Sequence, residues 1–226
     1  FSEKKIVDNE ILVLKSSSIV QQVVKQLDLY ASVFNQGKVR LEELYGQNSP
    51  LRFVTQEEDS IQTYSKYFFT MDWKNRLISI NNKAVPFDST VVLDNVKYRL
   101  IVNKTYNQSA IGKNYFALLN PIAGVAGGIS GSIRATPLSN VSTVLDVSLE
   151  TPVPLKGQAI LTKLFEVYNS EGIEDKNLIA SKTLKFIDDR LHLVINQLDS
   201  VERNIVSYKS KESLYTIGSD AELFLN

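Results

Sequence analysis

The sequence predicts an α+β fold: a mixed sheet packed with helices, followed by one long projecting C-terminal helix. Three observations predict it. Apolar residues near the N-terminus recur at helical spacing, at Ile19, Val23 and Leu27 with Val20 and Val24 beside them. Residues 51–120 hold short β-branched and aromatic runs separated by turn residues. Residues 173–217 contain no Gly or Pro, and apolar side chains fall there at Ala180, Leu184, Ile187, Leu191, Val194, Leu198, Val201, Ile205 and Tyr208. Those steps alternate four and three, which is a heptad seam. The order is helix, then strands, then strand, helix and long helix, and a regular βαβ alternation is absent from it. One domain is expected over 1–226, with a helical part (1–50), a β-rich insertion (51–120), a strand–helix part (121–172) and the long helix (173–217).

Composition narrows the function classes. The 226 residues are 43% hydrophobic and 22% charged, as in an ordinary globular protein. Lys plus Arg and Asp plus Glu number 25 each, so no bulk positive charge is available to displace counterions from nucleic acid. There is no cysteine, which removes disulfides, thiolate metal sites and cysteine nucleophiles together. No apolar run approaches the ~18–20 residues that cross a bilayer, and no signal peptide is visible. The chain opens on Phe1 and closes on Leu223-Phe224-Leu225-Asn226, so an excised piece of a longer protein is expected.

The first helix is expected from about Asp8, with Ser18 and Gln21 as a capping box and an end near Leu29 and Tyr30. Residues 31–50 read as transitional, punctuated by Gly37, Gly46 and Pro50. Strands are expected at 51–54, 67–71, 77–80, 91–93, 96–102 and 115–119, as a meander of five or six. Asn81-Asn82 and Asp94-Asn95 supply turns. Residues 121–137 carry Gly124, Gly127, Gly128 and Gly131 and read as a closely packed or flexible loop. A strand follows over 141–149, alternating apolar and polar. Thr151 and Pro154 then open an apolar helix to Tyr168, expected to be buried on more than one side. Gly172 separates it from the long run, which as a helix would reach roughly 65 Å.

Several residues are weighed as sites. Off the seam, Phe186 and Leu193 share a heptad position, with Ile195 and Val206 nearby. They form a candidate surface for a partner helix or another protomer. Asp199 and Arg203 form an acid-first i, i+4 pair of a few tenths of a kcal/mol at most. Trp73, Tyr64 and Tyr67, with Tyr98, are candidates for stacking on sugar rings, although strands favour aromatics for packing alone. The glycine cluster lacks the spacing and the Gly-Lys-Ser/Thr of a phosphate loop. His192 is the one histidine, placed beside the seam without a second ligand for zinc. Glu57-Glu58-Asp59 and Asp188-Asp189 are sequence neighbours that point different ways, unlike the paired acids of a glycosidase. No catalytic residue and no metal site is assigned.

Two stretches carry a resemblance. Asn9-Glu10-Ile11 through Leu14-Lys15-Ser16, followed by the Val/Leu-rich helix over 19–29, resembles the opening of the Wzz-type chain-length-determinant domain. Ser142-Thr143-Val144-Leu145-Asp146-Val147-Ser148, then Pro152 and Pro154, an apolar helix closing on Tyr168 and a long heptad helix, is similar to that family's second half. A β-rich segment between the two resembles the Wzc-like branch with a tyrosine autokinase. The glycines at 121–137 depart from the amphipathic helix that the family has there. The resemblance implies a periplasmic domain between two inner-membrane helices of a polysaccharide co-polymerase. Such proteins form rings and set the chain length, or drive the export, of capsular polysaccharide, exopolysaccharide or O-antigen. The implied partners are other copies of itself, a polysaccharide polymerase, an outer-membrane export protein and the glycan, with no nucleic acid. This stretch would be no enzyme and would hold no cofactor. ATP and Mg are expected only for a kinase domain that follows in the parent. Cut from its membrane helices, it is expected to be monomeric or weakly associated. The rival readings are a periplasmic adaptor of an export system with a coiled-coil hairpin, and a carbohydrate-binding or -cleaving domain.

Overall fold

The computed structural model describes residues 2–37, 41–106, 114–139 and 142–224. The chain divides into two compact units, Phe1–Ser170 and Glu171–Asn226. It is a mixed α+β protein with sheets and a long C-terminal helix.

In the first unit, helices α1 (Ser2–Leu14) and α2 (Ser17–Gln26) meet at a turn over Lys15 and Ser16. The cap of α2 is Ser16 rather than the expected Ser18. Its extended backbone lets Oγ accept from the Ile19 amide at 3.4 Å, and Ser17 Oγ accepts from the Gln21 side chain at 2.8 Å. Ile19, Val20, Val23 and Val24 are fully buried, as the helical stripe predicts. The helix ends at Gln26, short of the expected Leu29, and Asp28 takes a positive φ of 54°.

The next stretch corrects the transitional reading of 31–50. It forms β1 (Ala31–Gln36) and β2 (Leu41–Leu44), paired antiparallel with Val33 opposite Leu44. Strands β3 (Leu51–Val54), β4 (Ser65–Asp72), β5 (Leu77–Ile80), β6 (Lys83–Pro86), β7 (Thr90–Leu93), β8 (Val96–Val102) and β9 (Tyr115–Leu119) follow. They do not form one meander. A six-stranded antiparallel sheet runs β2-β1-β9-β4-β5-β6, and a separate three-stranded sheet runs β3-β8-β7. Among β3 to β9 the unforeseen strand is β6, whose short Lys-Ala-Val-Pro run carries a proline, and it sits at the sheet edge where a missing N–H is tolerated. The two turns at Asn81-Asn82 and Asp94-Asn95 hold as expected. All four residues have φ between 48° and 65°, the left-handed pair that a two-residue hairpin of right-twisted strands requires.

The sheets share a core. Phe53 of β3 meets Phe69 of β4 edge-on at 6.0 Å and Tyr98 of β8 at 6.3 Å, and Phe69 stacks on Tyr115 of β9 at 5.4 Å. The sheets are also clasped at Asp94, in the β7–β8 turn, which accepts from the hydroxyls of Ser65 and Tyr67 on β4.

Residues 122–132 form a helix, α3 (Ile122–Ser132), in place of the expected loop. Ile122 and Ala126 anchor it by burying one turn, and Ser130 Oγ donates to the Lys15 carbonyl at 2.9 Å. A Cβ on Gly124 would stand 2.1 Å from the Tyr64 hydroxyl, the far end of an exposed side chain that would have to swing aside. The rest of the expected loop is a strand, β10 (Ile133–Pro137), which pairs antiparallel with β11 (Leu145–Leu149). The strand expected over 141–149 is therefore shorter, and Val141 lies outside the described residues.

Helix α4 (Pro154–Phe224) has Pro154 at its first position, and Thr151 Oγ1 accepts from the Val153 amide just before it. Ile160, Leu164 and Val167 are buried, with Leu161 and Tyr168 packed beside them. At 100° per residue these five share one face, and Phe165 lies outside it, exposed. Burial on several sides is thus corrected to one wide stripe. Gly172 is also no break: α4 runs through it and through Gly218. A helical glycine costs only ~1 kcal/mol relative to alanine, which a helix with bonds on both sides of it carries.

Candidate functional site

The second unit, taken alone, is helical over 171–224, roughly 80 Å at 1.5 Å per residue. Leu184, Ile187, Leu191, Val194, Leu198, Val201 and Ile205 are all exposed on it. Each such side chain gains ~1.5–3 kcal/mol on full burial, so the seam offers ~10–20 kcal/mol gross to whatever covers it. Association costs reduce that severalfold but leave a strong surface.

The four off-seam candidates are exposed too, led by Phe186 at 69%. On the helical wheel they do not form one patch. Phe186 and Leu193 recur one heptad apart on a face ~130° from the seam, extended by Ile179 one heptad earlier. Ile195 and Val206 lie on the opposite flank. Asp199 and Arg203 do not use the expected ion pair, since Arg203 Nε donates to the Asp199 main-chain carbonyl at 3.2 Å. His192 Nε2 stands 3.7 Å from Asp188 with both side chains in solvent.

In the first unit, the aromatic candidates are separated. Tyr67 is buried on β4, its hydroxyl bonded to Asp94, and burial pushes its pKa well above the usual range of a phenol. Tyr98 is likewise buried and its pKa is pushed up to about 12 by desolvation. Trp73 is half-buried, stacked on Tyr106 at 6.0 Å and edge-on to Phe87 at 5.4 Å. Tyr64 is 72% exposed. It precedes β4 and Trp73 follows β4, which puts them about 30 Å apart along an extended strand.

Two arrangements went unforeseen. Cross-strand register places Phe34 (β1), Phe116 (β9) and Phe68 (β4) in one row on the outer face of the six-stranded sheet. Phe34 stacks on Phe116 at 5.0 Å, and Lys66 Nζ lies 3.8 Å from the Phe116 ring centre. Phe68 is half exposed at the end of the row. Alternation along each strand marks these phenylalanines, but only pairing across three distant segments aligns them.

The second is a cavity of ≈ 210 Å³ between the end of α2, the β1–β2 hairpin, β3 and the start of α4. Two ion pairs line it. Arg52 Nη2 stands 2.5 Å from Asp28, whose other oxygen accepts from the Tyr30 hydroxyl at 2.9 Å. Lys156 pairs with Glu43, both side chains only 15–16% exposed, and reaches Ser32 Oγ at 3.5 Å. Burial raises the Tyr30 pKa beyond the usual phenol range, against the opposing effect of the Thr55 amide that it accepts from. Every one of these charges has an internal counter-charge, so the cavity is arranged to hold elements together.

Among the described residues, no group of three or more His, Cys, Asp or Glu is placed to hold a metal ion. No helix there is long and apolar enough to cross a membrane. The most developed interaction surface is the second unit's helix, with its seam and its Phe186–Leu193 face. No family model matches the chain, and no curated protein matches it.

Proposed function

We propose that this chain is the periplasmic scaffold domain of an inner-membrane polysaccharide co-polymerase of the Wzz type, from the branch attached to a cytoplasmic tyrosine autokinase. Its work is mechanical: it assembles with copies of itself and presents a surface to the polymerase, the outer-membrane export protein and the growing glycan. Chain length and export follow from that assembly. The stretch itself does no covalent chemistry and takes no cofactor, ATP and Mg belonging to the kinase domain of the parent.

The observation that carries this reading is the second unit's helix, whose apolar seam and Phe186–Leu193 face stay exposed while the first unit buries a core of its own. A surface of that kind serves association with other helices. The order of elements supports it too, with strand β11, the prolines and an apolar segment feeding directly into the long helix.

The test uses the full-length parent. Purified in detergent or lipid, it is expected to form closed rings visible by electron microscopy, and deleting residues 171–224 is expected to shift polymer length or stop export. A full-length protein that stays monomeric in lipid removes the basis of this reading.

A further inference from the structure

We propose that the outer face of the six-stranded sheet carries a binding site for uncharged sugar chains, in a groove beside the phenylalanine row. The proposal deepens the scaffold reading, on which it rests for the source of the glycan.

The groove is built by strand register. Two residues away from Phe34, Phe116 and Phe68 on their own strands stand Gln36, Asn114 and Thr70, and Thr70 pairs with Ser79 of β5. The Gln36 main-chain amide donates to the Asn114 carbonyl at 3.0 Å, which ties β1 to the residue before β9. A row of four neutral polar residues therefore runs alongside the aromatic row, and strands ~4.8 Å apart make it roughly 14 Å long. Asn81 and Asn82, in the β5–β6 turn, complete a groove of ≈ 590 Å³ that the half-exposed Phe68 also lines. That volume is in the range of small-ligand sites.

The chemistry of the lining selects the ligand. No residue that lines the groove is charged, in a chain whose residues are 22% charged. Among the described residues, none of its amide or hydroxyl side chains is hydrogen-bonded within the chain. Other amides of this unit are used internally: Asn75 Nδ2 donates to Asp72 at 2.7 Å, and Asn103 Nδ2 to the Gln47 carbonyl at 2.8 Å. A side-chain amide donates and accepts, as a hydroxyl does, so the row matches sugar hydroxyls, which also do both. A phosphate or carboxylate ligand calls for cations, and the groove supplies none. Lys66, two residues from Phe68 on the side away from Thr70, is held over the Phe116 and Phe68 rings at 3.8 and 4.8 Å from their centres. Phe68 adds an apolar ring for the C–H face of a sugar to lie on.

The test is affinity electrophoresis of the whole chain through gels holding a neutral polymer (dextran, galactomannan or xyloglucan) or an acidic one (alginate or polygalacturonate). Retardation by at least one neutral polymer is expected, and added salt should leave it unchanged because no ligand charge is there to screen. Phe68→Ala should weaken it roughly tenfold. Asn114 is exposed and its amide has no internal partner, so Asn114→Ala should also weaken binding while leaving the thermal melt unchanged. Tyr64→Ala removes an exposed aromatic outside the groove and should change nothing. Retardation by the acidic polymers alone, or binding that Phe68→Ala and Asn114→Ala both leave intact, overturns the proposal, as does retardation by none of the five polymers. If none retards the chain while the full-length parent still forms rings in lipid, the scaffold reading stands and this site falls. If a parent that is monomeric in lipid binds a neutral polymer and loses it in both variants, the site stands and the scaffold reading falls.

Discussion

Gly127 and Gly128 sit on the exposed face of α3 with no atom within 4 Å of where a Cβ would stand. Their backbone freedom is a cost to the helix with no packing return, so Gly127→Ala and Gly128→Ala should each stabilise the first unit by ~0.5–1 kcal/mol in urea unfolding. Gly124→Ala should gain less, because its Cβ meets the Tyr64 hydroxyl, and adding Tyr64→Ala should restore the gain. A different balance governs Lys156 and Glu43. Lys156→Ala leaves the Glu43 carboxylate in a site about 15% exposed, and should cost about 2 kcal/mol, somewhat below the ~3–5 kcal/mol of breaking a fully buried pair. Replacing both partners by apolar residues (Lys156→Met with Glu43→Leu) should recover most of that loss in the same unfolding measurement.

At the scale of elements, the clasp between the two sheets is a carboxylate with two hydroxyl donors. The Ser65 hydroxyl, and after it the Tyr67 hydroxyl, hold the Asp94 carboxyl below its ordinary value, more than desolvation raises it. A depressed folded-state pKa stabilises the fold above the unfolded value of about 3.9, and that contribution is lost as pH falls through the folded value. Urea midpoints measured down the acid limb should therefore fall, and Asp94→Asn should flatten the fall. Part of the limb will persist, because Asp72 is depressed too, by the Asn75 amide and then the Asn75 side chain. The same hairpin logic explains the turns: Asn and Asp tolerate positive φ better than other non-glycine residues, so Asp94→Val should strain the turn as well as remove the clasp.

At the scale of the molecule, the two units differ in how they use apolar residues. The first buries Ile160, Leu164 and Val167 of α4 in its core, whereas the second exposes its seam. A chain ending at Ser170 should therefore unfold cooperatively with a midpoint within a few degrees of the full chain, followed by calorimetry. A chain ending at Val153 loses that buried stripe, a deficit of several kcal/mol on the ~1.5–3 kcal/mol scale per side chain, and should fail to fold stably. Under the proposed scaffold reading, export or chain-length activity is expected to be absent from the first unit alone in spite of its stability, since the exposed seam lies in the second.

What the sequence determined by itself is whatever depends on neighbours a few positions apart. The buried stripe of α2, the left-handed turns at Asn81-Asn82 and Asp94-Asn95, the strands at 51–54, 77–80 and 96–102, and the seam of α4 are all written in local spacing. Local signals also misled where they were weak against tertiary gain. Four glycines read as a loop, yet Ile122 and Ala126 bury enough to hold a helix. Gly172 read as a boundary, yet one glycine cannot stop a helix continued on both sides. Only the tertiary structure decided the partition into two sheets, the β1–β2 hairpin, the Phe34–Phe116–Phe68 row, and the Asp28–Arg52 and Glu43–Lys156 pairs around the cavity. Apart from the β1–β2 hairpin, each joins residues tens of positions apart. Which of them meet is fixed by strand register and by which faces are buried together, and no periodicity within a single segment encodes that.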